Sequence, residues 1–119
     1  MKVQHLIDRI RQHPGFAGVG MILCHNGVVR ATSRDGRKVS GLRVTVDHQR
    51  LALLLESQRQ TPGILDIQVE IAEDRDLAVG QDVMVLAVAG DIRETVIQTL
   101  QTTLEAIKTT VTHKTEYFI

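Results

Sequence analysis

The sequence has no tryptophan, one cysteine, two prolines and only three aromatic residues, Phe16, Tyr117 and Phe118. Each scarcity excludes something. So few aromatics leave no stacking platform for single-stranded nucleic acid. A lone Cys24 excludes a disulfide framework and a cysteine-rich zinc site. Lys plus Arg and Asp plus Glu each total 14, so the net charge is zero. No global field then draws the chain to nucleic acid or to a membrane, and any anion site is local. No apolar run approaches the roughly 20 residues a bilayer span needs. The opening "MKVQHLIDRI" carries Lys2, Asp8 and Arg9, unlike the apolar part of a signal peptide. A cytoplasmic protein is the expectation.

What is present suits one ordinary domain over residues 1–119, of which 43% are hydrophobic. Val3, Leu6, Ile7 and Ile10 repeat at helical spacing and predict a helix over about 2–12, stopped by Pro14-Gly15. "AGVGMILC" reads as a strand. Asp35-Gly36, between extended runs, predicts a two-residue hairpin. On its return strand Leu42, Val44 and Val46 alternate with polar residues. "HQRLALLLESQRQ" predicts a second helix, ended by Pro62-Gly63. "ILDIQVEIA" alternates as a strand. "EDRDLAVGQD" reads as a polar connection, and "VMVLAVAG" as a central strand apolar on both faces. Asp91 and Glu94 have capping-box spacing at the head of the last helix. Its apolar residues Ile92, Val96, Ile97, Leu100, Leu104 and Ile107 follow at helical intervals. "EYFI" is compatible with a short edge strand.

The expected order is α-β-β-β-α-β-β-α, with an optional last strand. This predicts an α+β, two-layer sandwich: a mainly antiparallel sheet with helices on one face and ferredoxin-like elements.

Three basic groups stand out. Arg30, Arg34, Arg37, Lys38 and Arg43 fall on the expected hairpin. Pairing centred on Asp35-Gly36 sets Arg34 opposite Arg37, and the group is either solvated edge charges or an anion site. Arg93 opens the last helix, where a cation opposes the dipole by a few tenths of a kcal/mol. Lys108 lies near that helix's end, where the dipole alone is sufficient reason for a cation. Lys114 lies beyond it and lacks that reason. The five histidines show no metal spacing, and no metal site is expected. Cys24, among apolar neighbours, reads as core rather than nucleophile.

Four stretches in order resemble the large, catalytic subunit of molybdopterin synthase. They are "GMILCHNGVVR", "LDIQVEIAEDRDLAVGQDVMVLAVAG", "AGDIRETVIQTLQTTLEAIK" and "THKTEYF", together spanning about residues 18–118. The resemblance implies definite chemistry. That family installs the dithiolene of molybdopterin on cyclic pyranopterin monophosphate. Its sulfur arrives as a thiocarboxylate on the C-terminal Gly-Gly of a ubiquitin-like small subunit. The large subunit forms a central homodimer. The resemblance places Lys108 and Lys114 as catalytic residues and Arg30 and Arg93 as anion binders, to which Arg34 and Arg37 are added from the basic hairpin. It implies no tightly bound cofactor, and neither membrane nor nucleic acid as partner. Arg93 and Lys108 are 15 positions apart on one helix, about 22 Å along its axis, so a shared pocket needs Arg93 from a neighbouring subunit. The chain departs from the family pattern at Ile92, where a histidine is usual, in the shorter "TTVTH", and in "ATSRDGR" after the arginine. Two other readings remain open: a non-catalytic relative that keeps dimerisation and partner docking, and a ferredoxin-like module that binds a small anion or RNA.

Overall fold

Strand "DVMVLAVAG" organises the molecule. In the computed structural model, which describes residues 1–119, it forms β5 (Asp82–Gly90) at the centre of a three-stranded antiparallel sheet. Its neighbours are β1 (Met21–Val28) and β3 (Ile64–Ile71). Every residue of β5 from Met84 to Ala89 is buried, because both faces are covered. Val85, Ala87 and Ala89 pack on Leu6 and Ile10 of α1 (Val3–Arg11). Met84, Leu86 and Val88 pack on the other side, against α2 (His48–Arg59) and α3 (Arg93–Ala106). That side holds the largest cluster, with Leu55, Ile67, Val96, Ile107 and Val111.

A second antiparallel sheet has the order β4-β2-β6, from Asp76–Ala78, Val39–Val46 and Thr112–Phe118. Its inward residues Leu42, Val44 and Leu77 close on Val29 and Ala72. The α+β class and the antiparallel pairing are as expected from the sequence. The layering is not. There are two sheets rather than one, and helices cover both faces of the first. The alternation within β5 shows why: a strand apolar on both faces needs cover on both.

The expected hairpin is the largest local difference. β1 and β2 do not pair as strands, because β5 takes β1 while β4 and β6 take β2. Only a single bridge, Thr32 with Lys38, joins the arms. The turn is a three-residue loop, Arg34-Asp35-Gly36, closed by Ser33 N–H donating to the Arg37 carbonyl at 2.8 Å. Gly36 takes φ +87°, the left-handed residue such a loop requires. Arg34 therefore sits in the loop and does not face Arg37.

The capping box also fails to form. Asp91 Oδ1 accepts from the next amide, Ile92 N, at 2.7 Å, and Ile92 caps α3 without any side-chain bond. Asp91 is held there by Gly63, whose carbonyl accepts its N–H at 2.9 Å. A Cβ on Gly63 would stand 2.5 Å from Asp91 Oδ1, and its φ is +90°, so only glycine fits. The polar connection contains β4, too short to show periodicity in the sequence. The last strand begins at Thr112 and runs seven residues, drawn out by β-branched threonines and its pairing to β2.

Candidate functional site

The two sheets meet at a cleft of about 430 Å³. Its floor is apolar, with Met84, Val83 and Ile71 from the first sheet, Leu42 and Val44 from the second, and Ile107 beneath α3. Around this floor stand Lys108, Lys114, Arg34 and His25. No carboxylate lines the cleft. Three cations over an apolar floor suit an anionic ligand, in a chain of zero net charge. A shallower depression of about 560 Å³ along α2 carries mixed charge, from Glu56, Arg59 and His48, and none of the basic candidates.

The helix end that carries Lys108 is unusual. After Ala106 the backbone widens into a π turn, Ile107–Val111. π turns are rare and recur at functional sites. Here the threonines of "TTVTH" sustain it. Thr109 Oγ1 donates to Glu105 O at 2.9 Å, Thr110 Oγ1 to Ala106 O at 2.7 Å, and Thr112 Oγ1 to Ile107 O at 3.1 Å. Three hydroxyls thus bond carbonyls in the last turns of the helix. Ile107 and Val111 anchor the turn in the core, while Lys108 stays at the surface. The chain then enters β6, where Lys114 pairs opposite Val44. That pairing sets Lys114 on the cleft side of the sheet. Its ammonium lies 3.9 Å from Glu116.

The cleft brings together Lys108, Lys114 and Arg34. The other three candidates stand outside it in this chain. Arg30 donates from Nε to its neighbour Thr32 O at 2.8 Å. The Arg37 guanidinium stacks 3.6 Å over the Phe118 ring. Arg93, at the start of α3, lies 3.5 Å from Glu94.

His25 is the residue sequence reasoning missed. Its ring is held below the usual histidine pKa by burial and then by the positive charge of Lys108. The available signal was its place in β1, in line with Met21 and Leu23 on an alternating strand. Cys24, one residue away, turns to the α1 side, and burial pushes its thiol up, as suits a core residue.

The fold is shared with solved structures of low sequence identity. One is a molybdopterin synthase from Staphylococcus aureus, with TM-score 0.76 at 19% identity over 94% of this chain and 84% of that one. Another is the molybdopterin biosynthesis MoaE protein from Burkholderia ambifaria, with TM-score 0.77 at 15% identity over 100% and 82%. A third is a complex of subunits 1 and 2 of the molybdopterin-converting factor from Helicobacter pylori, with TM-score 0.72 at 14% identity over 99% and 84%. No curated protein sequence matches the chain. The family model described as MoaE protein matches residues 1–110, and the chain belongs to that family. The match includes Lys108 and stops short of Lys114. No helix is long and apolar enough to cross a membrane.

Proposed function

We propose that this chain acts in molybdenum cofactor biosynthesis as the large subunit of molybdopterin synthase, a cytoplasmic sulfur-transferring enzyme. The observation that carries the reading is the cation-lined, carboxylate-free cleft in a chain of the MoaE family. The substrate is cyclic pyranopterin monophosphate, and sulfur comes from a thiocarboxylate on the C-terminal Gly-Gly of a small ubiquitin-like subunit. Both reactants are anions. Arg34 offers a planar fork for phosphate. Lys108 and Lys114 face the thiocarboxylate and the negative charge that develops as sulfur adds, and an apolar floor strengthens that attraction. Lys108, on the π turn, is the acid–base group. Lys114 is its partner across the cleft.

Arg93 belongs to the same chemistry only from a second copy of the chain. It opens α3 while Lys108 follows the helix end, about 22 Å along the axis. Ile92 and Ile97 beside it are exposed apolar residues, as a subunit contact would require. In a homodimer each site then draws Lys108 from one protomer and Arg93 from its partner.

The test mixes the chain with a thiocarboxylated small subunit and the pterin precursor and reads molybdopterin. Product with the wild type and none with Lys108→Ala is the expected result. Equal product from Lys108→Ala refutes the catalytic assignment. Tight small-subunit binding without any product marks a docking relative instead. Co-expressed Arg93→Ala and Lys108→Ala chains should form heterodimers with one intact site and regain activity. Failure to complement refutes the shared site.

A further inference from the structure

The register of β1 decides where His25 points. His25 pairs with Leu86, and the residues two away, Leu23 and Gly27, pair with Val88 and Met84. These three β5 residues are the ones that pack beneath Ile107. His25 therefore shares its side of the sheet with the π turn, and both His25 and Lys108 line the cleft.

A buried unpaired acceptor and a lysine with free donors line the same cleft. Nε2 of His25 is shut off from solvent and has no hydrogen-bond partner. A buried nitrogen left unpaired is costly. Lys108 carries three N–H donors, and the one ion pair a cleft lysine makes belongs to Lys114, with Glu116. Glycine at position 27 makes room for the ring: a Cβ there would stand 3.1 Å from Nε2.

The charged side chains that line the cleft with His25 all have one sign, and the carboxylate on the same face of β6, Glu116, lies 3.9 Å from Lys114 as that lysine's ion-pair partner. Lys108 comes from the π turn, Lys114 from β6 and Arg34 from the loop before β2. On this side β5 offers Met84 and Leu86. The inward residues of α3, Leu100, Thr103 and Leu104, carry no charge. An imidazolium would face these cations with no carboxylate in the cleft lining to offset it, Glu116 being engaged by Lys114. The ring accordingly favours its neutral form, held there first by burial and then by Lys108. A neutral imidazole keeps one nitrogen as an acceptor.

We propose that His25 is a positioning residue for Lys108: its neutral ring accepts at Nε2 a hydrogen bond from the Lys108 ammonium and holds that ammonium at the mouth of the cleft. The inference deepens the reading of Lys108 given above and rests on it. A lysine stem is flexible, and holding it before reaction removes an entropic cost from the chemical step. Acid charges the ring, breaks this contact and sets two cations against each other. Falling pH therefore releases Lys108 while the lysine itself keeps its charge.

The test has two arms. In the first, kcat and KM of the complex with the small subunit are followed over about pH 5 to 8.5, the range where histidine titrates. His25→Phe should lower kcat about tenfold or more, the loss of one hydrogen bond to a charged group, with a smaller change in KM. His25→Gln keeps an acceptor that does not titrate. It should recover much of kcat and abolish the acid limb. In the second arm, NMR follows the His25 ring in the chain alone. Lys108→Met should raise its titration midpoint. Full kcat in His25→Phe, an unchanged acid limb in His25→Gln, or an unmoved midpoint in Lys108→Met would each overturn the proposal. Full activity in Lys108→Ala would sink the acid–base reading of the lysine instead, and the NMR arm would still decide whether the two side chains touch.

Discussion

Ile107 and Lys108 are chain neighbours that should respond to truncation in opposite ways. Ile107 is 0% exposed and packs in the cluster with Leu86, Val88 and Val111. Ile107→Ala removes buried methyl groups and leaves a cavity, at a cost of about 2–5 kcal/mol. The unfolding entropy of a chain this size is about 250 cal/mol/K, so a loss of about 3 kcal/mol lowers Tm by about 12 °C. Lys108→Ala trims an exposed side chain. It forfeits a cation–dipole contribution of about 0.3–1 kcal/mol and the proposed hydrogen bond to His25, about 1 kcal/mol net. Alanine's better helix propensity offsets part of that. Its Tm should move by less than about 8 °C. Activity separates the two effects, since losing a general acid–base group lowers kcat about 10²- to 10⁴-fold. Calorimetry and guanidinium unfolding measure the stabilities, and molybdopterin formation measures the rate. A Lys108→Ala loss well above about 2 kcal/mol would refute the placement of the lysine at the surface, because it would exceed the dipole and hydrogen-bond contributions together. An Ile107→Ala loss below about 1 kcal/mol would refute the register of the π turn.

Two further outcomes follow from side-chain contacts. Asp66 is buried at the start of β3 and accepts from Arg59 Nε at 3.2 Å, Ile67 N at 2.8 Å and Gln68 Nε2 at 2.9 Å, so Asp66→Ala strands several donors. It should destabilise by about 1–3 kcal/mol, while its coupling to Arg59, a partly exposed partner, stays near or below about 1 kcal/mol in a double-mutant cycle. Tyr117 is the single tyrosine, and its hydroxyl donates to Asp76 Oδ1 at 2.6 Å. That bond raises the tyrosine pKa and lowers that of Asp76, with Arg43 adding to the second effect. The neutral tyrosine stabilises the fold below its ordinary pKa, and this is lost as pH rises through the raised value. The Asp76 contribution is present above the ordinary carboxylate range and lost as pH falls through its lowered value. Ultraviolet titration should place Tyr117 above the usual range and return it toward that range in Asp76→Asn. An ordinary midpoint in the wild type would contradict the contact.

Much of the fold was legible because period and burial agree. The stripe of Leu6 and Ile10, the alternation around Leu42, Val44 and Val46, and the unbroken apolar run of β5 each state one element and its buried side. The hairpin misled because Asp35-Gly36 satisfies a turn rule that depends only on its neighbours. Which strand then captures each arm depends on β5 and β6, more than 30 positions away. The capping box misled for a related reason. Asp91 has the right spacing, but Gly63, from another part of the chain, holds its backbone and leaves its carboxylate on the wrong amide.

The site divides in the same way. By itself the sequence determined that any anion site must be local, that Lys108 ends a helix, and that threonines follow it. Those statements rest on composition and on near neighbours along the chain. Only the tertiary structure decided that Lys108, Lys114 and Arg34 share one cleft while Arg30, Arg37 and Arg93 lie outside it. Only the pairing of β1 with β5 turned His25 toward that lysine, and only the pairing of β6 with β2 turned Lys114 the same way. Strand register is set by distant partners, and a shift of one residue would reverse both side chains.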